Sequence, residues 1–146
     1  MKPSLLLKLF SFALLLFPVV ADALEFPQPK TGLWEMRVQN SYDGAPLMVA
    51  GTTQLCLNAA EMESSRKLLV ETYKKCSKNE VRKEGGKWVQ DMVCKVDDIT
   101  VNGQMTREFN GENAYRDDSN STYAPPLAGH SRNHMVMDNK WLGPCK

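Results

Sequence analysis

Net charge is nearly absent from this sequence: 18 lysines and arginines stand against 17 aspartates and glutamates, with two histidines. A surface that tracks nucleic-acid phosphates needs an excess of Lys and Arg on one face. The single basic cluster, Lys74, Lys75 and Lys78, is diluted by Glu71 and Glu80 and reads as a solvated helix end, so no nucleic-acid partner is expected. Also missing is any Cys-x-x-Cys pair. That argues against a thioredoxin-like redox role and against a zinc knuckle, each of which needs two sulfurs brought together by a tight local turn. No Gly-x-Ser-x-Gly turn occurs, and no cysteine is expected to be free, so nucleophilic catalysis has no visible nucleophile. The paired carboxylates Asp97-Asp98 and Asp117-Asp118 do not fill the gap, because neighbours on a strand point to opposite faces and share no proton. Turn and strand-end solvation explains them more simply. The expectation is a protein that is not an enzyme and carries no cofactor, and no internal repeat interrupts it.

What is present begins with an export address. Lys2 and Lys8 precede an uncharged apolar run from Leu9 to Val20, which closes on Ala21-Asp22-Ala23, a small-x-small cleavage signature. Residues 1–23 are therefore read as a secretory signal peptide, with the mature chain starting at Leu24. The run is 12 residues, whereas a bilayer-crossing helix takes about 20, and lipidation at the cut would need a cysteine where Leu24 and Glu25 stand. No membrane anchor is expected, and the protein is placed in the periplasm or outside the cell. Removing residues 1–23 leaves 123 residues with 16 charges of each sign. That is the size of one domain, 24–146, with one core.

Four cysteines, Cys56, Cys76, Cys94 and Cys145, all lie in the exported part, and an even number there favours two disulfides. Gly32 to Gln39 alternates Trp34, Met36 and Val38 with polar residues, the two-residue period of a half-buried strand. Asp43-Gly44 and Pro46 make a turn, and a second strand spans about Met48 to Leu57. Asn58 with Glu61 three residues on forms a capping box for a helix over 59–75, with Met62, Leu69 and Tyr73 on one stripe and Lys74 and Lys75 in its last turn. A hairpin turns at Glu84-Gly85-Gly86. Centred on Gly85, it sets Cys76 and Cys94 at mirror positions, so these two are paired and Cys56 and Cys145 take each other by elimination. Further strands are expected over 98–109, broken at Asn102-Gly103, over 113–123 and over 130–141. The fold class is mainly β: an antiparallel meander or partly closed barrel-like sheet with one α-helix and two disulfides.

Gly32-Leu33-Trp34-Glu35, Gln54-Leu55-Cys56-Leu57 before the helix, Cys76 and Cys94 across a hairpin, and Trp141-Leu142-Gly143-Pro144-Cys145 together resemble the domain of unknown function 3617 family of exported bacterial proteins. The resemblance spans nearly the whole mature chain and implies a periplasmic domain of antiparallel strands with one helix and no established activity. Two departures stand out. Members often carry a Met-rich loop between the first two strands, whereas Tyr42 to Met48 contains only Met48, and Trp141 sits where a basic residue is common. The bacterial context also makes the Asn120-Ser121-Thr122 glycosylation pattern a chance match.

Two sets of residues suggest a site. His130 and His134, four apart on a strand, share a face, while Met135 and Met137 fall on the other unless a bulge intervenes. Imidazole and thioether together suit copper, and surface and core packing explain the same residues. Trp34, Trp88 and Trp141 could line a cup for an apolar ligand or pack an ordinary core. The leading expectation is a non-catalytic binding or interaction module for a small apolar ligand or an exported protein. Copper handling by His130, His134, Met135 and Met137 is the alternative.

Overall fold

A computed structural model describes residues 26–146; the expected signal peptide and the cut before Leu24 lie outside the described residues. Strands β1 (Gly32–Tyr42) and β2 (Met48–Leu57) come first, then helix α1 (Ala59–Tyr73). Strands β3 (Cys76–Glu84), β4 (Lys87–Val96), β5 (Ile99–Phe109), β6 (Ala114–Leu127) and β7 (His130–Gly143) follow. All seven strands form one sheet in the order β2-β1-β7-β6-β5-β4-β3, with every adjacent pair antiparallel. The stretch from β3 to β7 is the expected meander, and the β1–β2 hairpin adds on beyond β7. The sheet is open, with β2 and β3 as its two edges.

Because strand side chains alternate, the register sorts the sequence into two faces. One is polar. Across it runs a row of alternating charge, Glu84, Lys87, Glu108, Arg116, Asp138 and Arg37, opposed one to the next over six strands. Lys87 reaches Glu108 at 3.0 Å and Arg116 reaches Asp138 at 2.9 Å. Exposed pairs of this kind contribute about 0–1 kcal/mol each, but a one-residue slip would turn the whole row to the other face, so they help to set register. Val89 and Val136 are buried in the next row. The opposite face is apolar and holds Trp34, Tyr115 and Cys94, all buried.

The β3–β4 hairpin differs from the expected register and reaches the expected bridge by another route. Glu84 faces Lys87, so the turn is centred between Gly85 and Gly86, and that register alone would set Cys76 opposite Lys95. A one-residue bulge at Ser77 shifts the pairing and brings Cys76 opposite Cys94. The two disulfides are Cys76–Cys94 and Cys56–Cys145, and no cysteine is free. At β5 the expected break is absent: Asn102 and Gly103 continue the ladder, and a Cβ on Gly103 would lie 3.1 Å from Met92 Cγ, so the glycine makes room for that side chain.

The capping box forms as read, with Asn58 Oδ1 accepting from Glu61 N–H and Glu61 accepting from Asn58 N–H. α1 ends at Tyr73, two residues early. Lys74 is its C-cap and no basic residue stands in the last turn, because Lys95 N–H already bonds the Lys75 carbonyl and draws the chain onto β4. Nor is the helix stripe buried: Leu69 is exposed, and no residue of α1 is fully buried. Among the described residues, no helix is long and apolar enough to cross a membrane.

One corner of the sheet gathers most of the residues that carry the resemblance. Trp34 faces Trp141, and Leu33 faces both Cys56 and Gly143. Gly32 adopts φ +139°, and a Cβ there would meet Gly143 O at 2.6 Å and collide with the Trp141 indole. Only glycine lets β1 start so close to the end of β7.

Candidate functional site

The apolar face is the most unusual surface of the molecule. Register places Met36, Met92, Met105, Met135 and Met137 on it with Val38, Val81, Trp88 and Val101. A sheet face of this composition normally lies against a second layer. Here α1 touches mainly β3, and all five methionines stay partly exposed. Thioether side chains are flexible and polarizable, and they adapt to irregular apolar shapes.

Chain outside the sheet covers one end of this face. Trp34 Nε1 donates to the Lys30 carbonyl at 2.9 Å and packs edge-on to Tyr115 at 5.3 Å. Arg107 forms a bidentate pair with Asp117 at 2.7 and 2.8 Å, donates to the Pro27 carbonyl, and stacks over Tyr115 and Phe26. Burial opposes the Arg107 charge, but the bonds and attraction to Asp117 outweigh it and hold the guanidinium above its ordinary range. Burial, only partly offset by Arg107, pushes the Tyr115 phenol above 10. Tyr73, at the end of α1, is near enough to act on the same guanidinium. The pair is buried with both charges answered, so removing either partner alone would leave an uncompensated buried charge.

The neighbouring row, Val81, Gln90, Met105, Ser119, Met135 and Asn40, holds the one buried side-chain polar atom without a partner among the described residues. Gln90 is 1% exposed; its Nε2 donates to Asn79 Oδ1 at 2.6 Å, while its Oε1 has no partner. A buried acceptor without a donor costs about 1–3 kcal/mol. It stands between Trp88 and Met92 along β4 and between Val81 and Met105 across the sheet. The arrangement offers a largely apolar bed in which, among the described residues, Gln90 Oε1 is the buried side-chain acceptor left without a donor.

The polar face also has a hollow, about 790 Å³, bordered by Arg37, Glu108, Arg116, Asp138 and Lys140. Arg37, Glu108, Arg116 and Asp138 come from the alternating row and Lys140 stands opposite Glu35 in the row beyond it, so the hollow presents no field of one sign.

The structure separates the residues that the sequence grouped. His134 Nε2 is 3.0 Å from Asp118, and His130 Nδ1 is 2.8 Å from Asp43, whose other oxygen accepts from Ser131 and Arg132 N–H. Tyr42 stacks on His130 at 4.5 Å. Met135 and Met137 lie on the face opposite His134, so the four are not brought together. No group of three or more His, Cys, Asp or Glu capable of holding a metal occurs among the described residues. Of the tryptophans, Trp34 is buried and faces Trp141, which donates to the Thr31 carbonyl and lies under Lys30 at 3.6 Å. Trp88 stands on β4, with β5 and β6 between it and β7. Asp117 and Asp118 point to opposite faces, as read. Sequence reasoning missed that Met36, Met92, Met105 and Gln90 share one face of the sheet; for Gln90 and Met105 the signal was their equal distance from the Asp97-Asp98 turn.

A family model described as "Protein of unknown function (DUF3617)" matches residues 29–145, a span that contains every strand and both disulfides. No curated protein and no solved structure matches the chain.

Proposed function

We propose that this chain, which belongs to the family of proteins of unknown function DUF3617, is an exported, non-catalytic binding module whose methionine face takes up a small apolar ligand. One observation carries the reading: a seven-stranded sheet presents five methionines, all partly exposed, on a face that no second layer covers among the described residues beyond the lead-in segment at its Trp34 end. The unpartnered Gln90 Oε1 refines it, since a ligand with one hydroxyl or N–H among apolar atoms would satisfy that acceptor once Met92 or Met105 swings aside. Two disulfides agree with an oxidising compartment, the periplasm or the exterior.

Native mass spectrometry of protein purified from its own periplasm tests this. An apolar adduct is expected on the wild type and is lost from Met105→Glu and Met135→Glu proteins that keep the wild-type circular dichroism. An unliganded wild type, or an adduct indifferent to both substitutions, overturns the reading. Cu(I) as the adduct would move it to metal handling by thioethers, without the help of His130 and His134.

A further inference from the structure

We propose that the outer edge of β2 pairs antiparallel with β2 of a second copy of this chain, joining two sheets about a two-fold axis. This is independent of any ligand on the methionine face. β2 reads Met-Val-Ala-Gly-Thr-Thr-Gln-Leu-Cys-Leu, without one charged residue or proline. From Met48 to Leu55 every residue is exposed, Met48 to 73%. Among the described residues only β1 pairs with this strand. Its outward N–H and C=O groups are thus a template for one more strand.

The occupant follows from the composition and geometry of the edge. A bulge at Ala50 interrupts the ladder, and Cys56 and Leu57 are half-buried, so the regular, fully exposed stretch is Gly51 to Leu55, centred on Thr53. A two-fold axis there sets Thr53 against Thr53, a favourable cross-strand pair, and Thr52 against Gln54. It also lays Leu55 of each copy beside Gly51 of the other. Gly51 has open space where a Cβ would be, next to Val38, and takes the leucine without collision. An uncharged strand meets its own copy without like-charge cost. The apolar faces of the two sheets become continuous across the join. The remaining edges of such a pair are both β3, which carries Lys78, Glu80, Arg82, Lys83 and Glu84. Growth therefore stops at two copies.

Sedimentation velocity of the disulfide-intact protein, from about 1 to 100 μM, is expected to show a monomer–dimer equilibrium. Thr53→Lys, which sets two ammonium groups face to face, should raise the dissociation constant at least about tenfold with unchanged circular dichroism. Leu55→Ala weakens the same contact should the lysine variant fail to fold. Glu84→Lys, on the other edge, leaves the constant as it was. A strict monomer, a dimer indifferent to both β2 variants, association beyond the dimer, or a monomer that binds only a foreign extended peptide along β2 would each overturn the self-pairing.

Discussion

β3 carries a charged residue at five of its nine positions and β2 at none of its ten, although both are edges of the same sheet. On β3 the charges are also engaged: Lys78 and Arg82 both reach Asp91 on β4, and Glu84 stands opposite Lys87. An approaching strand would have to displace or desolvate them, which is how edges are guarded against unwanted pairing. β2 has a bulge and nothing more. Yet each edge is stapled once, β2 through Cys56 to Cys145 and β3 through Cys76 to Cys94. The two edges are alike in covalent bracing and unlike in chemical protection, and that combination suits one edge to contact and the other to solvent.

The bracing offers the largest test of that likeness. Cys56–Cys145 spans 89 residues and Cys76–Cys94 spans 18. On the chain-entropy account these loops are worth about 4–5 and about 3 kcal/mol. Urea unfolding of the Cys56→Ala/Cys145→Ala and Cys76→Ala/Cys94→Ala proteins should therefore show the greater loss for the β2 staple; equal losses would mean that loop length does not distinguish the edges. Stripping the guard from β3 with Glu80→Thr/Lys83→Thr should change stability by no more than about 0.5 kcal/mol, since both side chains are exposed. Light scattering should nevertheless detect growth beyond the dimer, and a double variant that stays dimeric would show that charge is not what protects β3.

The smallest effect lies at the turn leading into β2. The hydrogen bond from the His130 ring, helped by Ser131 and Arg132 N–H, holds the Asp43 carboxyl below its ordinary 3.8. A carboxylate lowered in the folded state stabilises above its unfolded value, and that contribution is lost as pH falls through the folded value. The clasp between the β1–β2 and β6–β7 turns should thus hold at neutral pH and open only in acid below about 4. NMR shifts of the Ser131 and Arg132 amides should follow that opening and be pH-independent in Asp43→Asn; a transition near neutrality would sink the assignment.

Local signals in the sequence were faithful wherever the structure is local. The alternation of Trp34, Met36 and Val38, the Asn58–Glu61 box and the glycines at 85 and 86 each led to the right element. Both cysteine pairs were legible too, although the mirror symmetry about Gly85 that suggested one of them is replaced by a turn one half-step later and a bulge at Ser77. Non-local placement could not be read. Nothing in β1 announces that it pairs with β7, 91 to 110 residues away, rather than with β4, and without that the corner of Gly32, Trp34 and Trp141 stays scattered. Arg107 and Asp117 become partners only once the β5–β6 hairpin is centred. The same holds for the methionines: Met135 and Met137 stood out by being adjacent to histidines, which the strand then turns away from them. Asn102-Gly103 looked like a break because its turn propensity is strong, and Met92 packing over Gly103 overrides it.

α1 is flanked by Cys56 on one side and Cys76 on the other, and it carries the chain from one edge of the sheet to the opposite edge. Topologically, this makes the fold a circular permutation of a plain seven-stranded meander. Join the end of β7 to the adjacent start of β1, open the chain within α1, and the strands run β3, β4, β5, β6, β7, β1, β2, each paired with the next. The helix is the seam. A protease that cut it would release no fragment, because Cys56 stays bonded to Cys145 and the strands keep their neighbours; the nicked molecule would be the meander itself, read from a different starting point.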